Sequence, residues 1–411
     1  VSTSGSVRFT SRGPPVPSAP AIRAWRAVAL VVALVVVTAC QQTSRTAPEP
    51  STTATAPSAP VERAEPRRIG LLVPLTGRAG AVGRDLARAA EMALLERGDG
   101  DVELIPRDTE SSAEGAILAA RELVEVHDVD VILGPLFGSH AERVAGLARR
   151  ENVVVLAFSN QSEIAGDGLF VMGYRPEEQV ERVVAYAIDR GLSRLAGLAP
   201  DDAYGRRSLA SLRATVERAL GGELVGAEFY GSDAIDAGAR IDALRAGTGG
   251  DALPPFDALL IADGGQRLRQ VAQLLPRHDV DPVDVRPLGT RLWGDLPDLA
   301  NETALRGGWY ADVPEQALGD FRTRFRQIYG RAPHPLAILA YDGLLVAADA
   351  AEDPTTAIQR ITETRGFQGE AGIFRLMPDG RTEHALAIFE LTAGGPVVVD
   401  PAPLRFVDEP S

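Results

Sequence analysis

The chain contains no lysine; all 42 of its basic residues are arginine. That absence excludes Schiff-base chemistry, the lysine of a phosphate-binding loop and any lysine general base. Cysteine occurs once, at Cys40, which rules out a disulfide framework and a cysteine-built zinc site. The histidines (His127, His140, His278, His334 and His384) include no i,i+4 pair, which argues against a metal site. There is no Gly-x-Ser-x-Gly elbow. The acid pairs Asp201-Asp202 and Asp281/Asp284 sit in polar loop stretches, where solvation explains them better than a glycosidase-type pair. No catalysis, metal or cofactor is expected.

Long apolar runs are also missing. The longest uncharged apolar stretch, Ala27–Ala39, follows Arg23 and Arg26 and is too short to span a bilayer, but it suits a signal-peptide core. Its end, Val37-Thr38-Ala39-Cys40, resembles a bacterial lipobox, in which Cys40 is the lipidated residue. Gln41 is not the aspartate that resembles an inner-membrane retention signal, so the outer membrane is the expected destination. Residues 1–39 are thus read as signal peptide, with 1–22 as an over-long gene start, and residues 40–66, rich in Thr, Ser, Ala and Pro, as lipidated Cys40 and tether. Net charge is −14, and the four arginines of the acid-free first 39 residues leave −18 for the rest, a balance that repels nucleic acid.

The body opens with Ile69–Val73, a run of β-formers stopped by Pro74 and Gly77, followed by helical spacing at Leu86, Ala90, Ala93 and Leu94. Gly77 and Gly83 let the connecting backbone approach a ligand or a neighbouring strand. Strands at Val102–Arg107, Val129–Leu133 and Val153–Phe158 alternate with helices. Two of those helices are opened by apparent capping boxes at Ser111–Glu114 and Ser139–Glu142. Beyond Tyr174 the pattern restarts, with strands at 194–199, 223–230, 258–262 and 285–289 and helices between them. Two wound α/β lobes with parallel sheets follow. Late helices at 318–329 and 335–351 precede an expected hairpin of Gly372–Leu376 with Leu386–Leu391.

Several segments carry a resemblance: Pro74-Leu75-Thr76-Gly77 with Gly83, Asp202-Ala203-Tyr204-Gly205-Arg206, Phe321 to Tyr329-Gly330, and Ala340-Tyr341-Asp342-Gly343. Together they resemble the type I periplasmic-binding fold of the branched-chain amino-acid-receptor-like group. The lipobox, Leu156-Ala157-Phe158-Ser159-Asn160 and Phe374–Gly380 are similar to the penicillin-binding protein activator lipoproteins. The resemblance implies two lobes, 67–174 plus 312–366 and 177–309 plus 368–406, joined by three hinge strands. It places those hinges near Gly173–Glu177, Tyr310–Val313 and Phe367–Gly372.

It also implies a cleft beyond the strand carboxyl ends. From the first lobe this cleft would take Leu75, Thr76 and Gly77, then Phe137 and Ser139, then Phe158, Ser159, Asn160 and Gln161. Tyr174 would come from a hinge, and Asp202, Tyr204, Asp263 and Trp293 from the second lobe. Each has a plainer reading. Ser139 and Asp202 suit helix caps, Asp263 suits a turn, Trp293 suits packing, and Asn160 stays open between ligand and turn. Phe137 and Phe158 leave less room for a zwitterion than an amino-acid receptor provides. The first expectation is an outer-membrane-anchored lipoprotein that binds and stimulates a peptidoglycan synthase, a penicillin-binding protein. The alternative is a lipid-anchored receptor of an ABC importer for amino acids or related small molecules.

Overall fold

The computed structural model describes residues 66–406 except 99, 247–252, 297 and 364, within one compact unit, Arg63–Ser411. The expected signal peptide, Cys40 and the tether lie outside the described residues. In β1 (Arg67–Val73), alternation sends Ile69, Leu71 and Val73 to one face and Leu72 to the other, all fully buried. Burial on both faces is what a wound parallel sheet requires. β1 pairs in parallel with β2 (Val102–Asp108) and β3 (Val131–Leu133), and β4 (Val154–Ala157) and β5 (Leu169–Val171) complete the order β2-β1-β3-β4-β5. Helices α1 (Gly80–Arg97) and α9 (Ala337–Ala350) share a core with the Ile69 face, while α2 (Ala113–Glu125) and α3 (Gly138–Ala148) share one with Leu72.

The two loop glycines serve the chain's own packing. A β-carbon on Gly83 would stand 1.9 Å from the Pro74 carbonyl oxygen, and Gly77, at φ +75°, would meet Glu110 O at 2.7 Å. Helix α1 therefore rests directly on the loop after β1. Gly83→Ala is expected to lower stability by about 1–3 kcal/mol through overpacking. A urea titration should record this as an earlier midpoint at unchanged slope; an unmoved midpoint would mean that the loop yields freely.

Both capping boxes are corrected. The α2 cap is Ser112, whose hydroxyl accepts from Gly115 N, one residue later than the box at Ser111 requires. Ser111 instead donates to Thr76 O and accepts from Ala79 N, tying two loops together. Helix α3 starts at Gly138 behind Phe137 with no side-chain cap, so Ser139 is an exposed residue of its first turn.

The second sheet runs β15-β14-β10-β9-β8-β6-β7. Its parallel part is β6 (Arg194–Pro200), β7 (Glu223–Tyr230), β8 (Ala258–Ile261), β9 (Arg286–Gly289) and β10 (Trp309–Asp312). Two antiparallel strands, β14 (Ala387–Thr392) and β15 (Gly395–Asp400), finish it. Leu195 and Ala199 share a core with α4 (Pro176–Asp189) and α5 (Ala203–Arg218), and Ala196 and Leu198 face α6 (Ala237–Arg245) and α7 (Gly265–Leu274).

The chain crosses between lobes three times: from β5 to α4, from β10 to α8 (Glu315–Tyr329), and after α10 (Ala357–Ile361) on the way to β14. One apolar core runs through these crossings from Ile69 in the first lobe to Leu288 in the second. The expected hairpin has a different partner. β12 (Gly372–Leu376) pairs with β13 (Thr382–His384) and with β11 (Phe367–Gly369) in a sheet of their own, whose turn offers Gly380 O to Val171 N on β5. The segment 386–391 instead enters the large sheet beside β10, because Ala387, Phe389 and Leu391 alternate into that lobe's core.

Candidate functional site

A crevice of about 730 Å³ opens between the lobes, beyond the carboxyl ends of β3, β4 and β9 and against the first crossing. A depression of about 910 Å³ lies at the opposite ends of β3 and β4, around Asp128, Asn152, Asp167 and Thr355. The crevice is the better candidate, because ligands of wound α/β sheets sit beyond strand carboxyl ends, where loops from separate strands converge.

The structure brings seven of the residues picked from sequence to this crevice. Phe137 ends the loop after β3 and Phe158 begins the loop after β4; with Val82, Leu136 and Leu336 they form an apolar wall. Ser159, Asn160 and Gln161 follow Phe158 on the same loop. The Ser159 hydroxyl is turned inward, accepting from Gln161 N at 3.1 Å. Asn160 is engaged from the other lobe, its carbonyl and side-chain oxygens accepting from Arg207 on α5 at 2.5 and 3.5 Å. Glu163 stands 3.7 Å from the same guanidinium, so Arg207 ties the lobes together beside the cleft.

Tyr174 and Tyr204 complete the seven. Tyr204 donates to Thr290 Oγ1 at 2.9 Å, and burial pushes its pKa up. Tyr174 is 5% exposed, with His384 4.6 Å from its ring on one side and the Arg291 guanidinium 4.6 Å from its centroid on the other. Burial pushes its pKa far up, and its hydroxyl has no hydrogen-bond partner among the described residues. A buried neutral O–H that lines a crevice and lacks an acceptor is a ready contact for a ligand or an ordered water.

The other seven lie elsewhere. Leu75 and Thr76 hand their N–H groups to Asp108, which also accepts from the Thr76 hydroxyl at 2.6 Å, and Gly77 packs on Glu110. Ser139 is in the exposed first turn of α3. Asp202 caps α5 through Gly205 N. Asp263, 2% exposed, is consumed by Tyr230 and by both nitrogens of the Arg267 fork. Trp293 is core, its ring over Gly289 and its Nε1 donating to Ile261 O.

Sequence reasoning missed Gln179, Arg291, Asp295 and His334. An arginine straight after the β9 carboxyl end was the available signal for Arg291. Its side chain is 7% exposed, with Asp312 at 3.2 Å and Asp295 at 3.0 Å. Burial disfavours its charge, but the two aspartates outweigh that and hold its pKa above the usual arginine value. Gln179 fixes the same corner, accepting from Arg291 N and donating to Arg175 O. Burial lowers the His334 pKa. Among the described residues no group of three or more His, Cys, Asp or Glu is placed to hold a metal ion, and no helix is long and apolar enough to cross a membrane.

Comparison with known proteins matches this architecture. A curated relative, an uncharacterized protein of Rickettsia prowazekii (strain Madrid E), is 27% identical over 138 residues, 34% of this chain. The match spans 36% of that relative's length. Among solved structures, a branched chain amino acid ABC transporter periplasmic ligand-binding protein from Burkholderia xenovorans LB400 superposes with TM-score 0.66 at 17% identity, over 82% of this chain and 95% of its own. An ABC transporter solute binding protein of R. palustris in complex with 4-hydroxybenzoate gives 0.61 at 18% identity, over 84% and 98%. The sequence profile of one family spans residues 66–396, nearly the whole described body. With its two parallel-sheet lobes and the crevice between them, the chain has the type I fold and belongs to the Periplasmic binding protein family, a family of extracytoplasmic ligand-binding receptors.

Proposed function

We propose that this protein is a receptor that captures a small organic molecule in the crevice between its lobes and delivers it to an ABC importer. The observation that carries the reading is the crevice of about 730 Å³ between the lobes, lined by an apolar wall and by Tyr174 from a crossing, whose buried hydroxyl has no partner among the described residues. In this reading lobes 67–174 plus 312–366 and 177–309 plus 368–406 close on the ligand by bending at the crossings. Arg207 supplies the contact that holds the closed form. The Cys40 lipid and the Thr/Ser/Ala/Pro stretch behind it would tether the receptor.

A thermal-shift screen of the purified protein against amino acids, muropeptides and small aromatic and aliphatic compounds tests this. A ligand at a hundredfold its dissociation constant should add about 2.7 kcal/mol, visible as a raised midpoint. Tyr174→Phe should then weaken the hit by about 0.5–1.5 kcal/mol, the value of one neutral hydrogen bond. A hit indifferent to that change would place the ligand elsewhere.

A second reading is favoured by Asn160. Its oxygens are engaged by Arg207, which leaves this loop more a lobe-to-lobe strut than a ligand grip. The same loop carries the likeness to penicillin-binding protein activators. In that reading the anchored protein sits on the periplasmic face of the outer membrane, docks on a peptidoglycan synthase and stimulates it, with the cleft as scaffold. A blank screen together with pull-down of a synthase that tolerates Asn160→Ala would establish the regulator and retire the receptor.

A further inference from the structure

We infer that the crevice selects a ligand with an apolar body and a polar head that is not anionic, and rejects free carboxylates, because the protein's own oxygens already lie on both features that would attract an anion. This inference rests on the receptor reading above. The first such feature is Arg291, the one guanidinium that lines the crevice among the described residues. It stands 3.2 Å from Asp312 and 3.0 Å from Asp295, with its guanidinium carbon 4.6 Å from the Tyr174 ring centroid, so two carboxylates already balance its charge. A ligand carboxylate would be the third anion around one cation, in a place where water cannot screen the excess.

The second feature is the amino end of α3, whose unpaired N–H groups and dipole would favour an anion. No side chain caps it. However, Gln161 Oε1 lies so close over Gly138, the first residue of α3, that a β-carbon there would stand 1.9 Å from it, with Ser159 Oγ at 2.8 Å. Because Cα–Cβ bonds in a helix tilt toward its amino end, those two oxygens cover the approach an anion would take.

Of the groups that remain, the Tyr174 hydroxyl has no partner among the described residues, and Asp295, whose Oδ2 receives Arg291, has a second oxygen to accept with. A primary amide or alcohol satisfies both, since it accepts and donates at once. The body of such a ligand would lie on the wall formed by Val82, Leu136, Phe137, Phe158 and Leu336. This separates the present crevice from that of the R. palustris protein in complex with 4-hydroxybenzoate.

Calorimetric titration of the full protein with matched probes tests the inference. These are benzamide, benzyl alcohol, benzoate and benzylamine on one ring, and isovaleramide against isovalerate on a branched chain. In the wild type, the amide, the alcohol and the amine should each bind at least tenfold more tightly than the carboxylate of the same body. Asp295→Asn, which releases one claim on Arg291, should raise carboxylate affinity about tenfold and leave the amide's within a few-fold. Tighter carboxylate binding by the wild type would overturn the charge assignment while leaving the receptor reading intact. An Asp295→Asn protein with no gain for carboxylates would overturn the role given to the Arg291–Asp295 pair. Silence from every probe in both proteins would remove the receptor reading and this inference with it.

Discussion

Replacing Arg291 by alanine is expected to lower the free energy of unfolding by about 3–5 kcal/mol, the range seen when one partner of a buried ion pair is removed. The arginine is 7% exposed on its side chain and Asp312 is 9% exposed, so truncation strands a carboxylate that water barely reaches. The change also removes the cation from beside the Tyr174 ring, and with it a contact that joins the loop after β9 to the first crossing. Arg291→Lys should recover little, since an ammonium cannot reach Asp312 and Asp295 with a planar fork while stacking on a ring. The measurement is urea unfolding of the single variants and of the Arg291→Ala/Asp312→Asn double. If the stranded charge is the cause, the double variant regains a large part of the loss, giving an interaction energy well outside the additive range. Strictly additive losses would assign the effect to packing.

Stability should fall as pH rises from about 4 to about 7, and Asp342 should account for much of the fall. This carboxyl lies on α9, is 4% exposed, and accepts from Glu370 N at 2.7 Å and Ala371 N at 3.2 Å, pinning the last crossing to the first lobe. Burial pushes its pKa up to about 7 from 3.8, although the two backbone N–H groups pull the other way. The sign follows from proton linkage. Between the two values the folded state holds a proton that the unfolded chain has released, so the contribution is complete below the unfolded pKa and is lost as pH rises through the folded one. A shift of this size corresponds to at most about 4 kcal/mol. Unfolding free energies at pH 4, 5, 6, 7 and 8 should decline in the wild type and be flatter in Asp342→Asn, which stays neutral throughout. Parallel curves in the two proteins would exonerate Asp342. A receptor built this way would hold its third crossing more firmly in mildly acidic surroundings than in alkaline ones.

The same two residues mark the limit of what could be read from the chain alone. Arg291 follows a strand and Asp342 sits in an apolar helix, and both facts are local. Their partners are not. Gln179 reaches Arg291 across 112 positions, and Glu370 reaches Asp342 across 28. The residue before a turn and the residue that ends up beneath a guanidinium look alike in a string of letters. Asp263 read as a turn residue with a possible ligand role, and becomes the buried acceptor of Tyr230 only once β7 and the start of α7 meet. Phe137, Phe158 and Tyr174 line the crevice because each follows a strand, and strand carboxyl ends are where the loops of wound sheets gather. Ser139 was misplaced for a one-residue reason: α3 begins at Gly138, which turns the serine from cap to exposed helix residue.

The sequence by itself determined the absence of lysine and thiol chemistry in the body, the strand–helix alternation and the two parallel-sheet lobes. Those follow from composition and from periodicities of two and 3.6 residues, which every strand and helix must obey locally. Short elements escaped that reading: β5 has three residues, α10 has five, and the true mate of β12 is the three-residue β13. Only the tertiary structure decided which oxygens face Arg291, which hydroxyl is left without a partner and which glycines touch their own chain. Those are questions of distance between segments far apart in the chain, fixed by how cores pack rather than by any local preference.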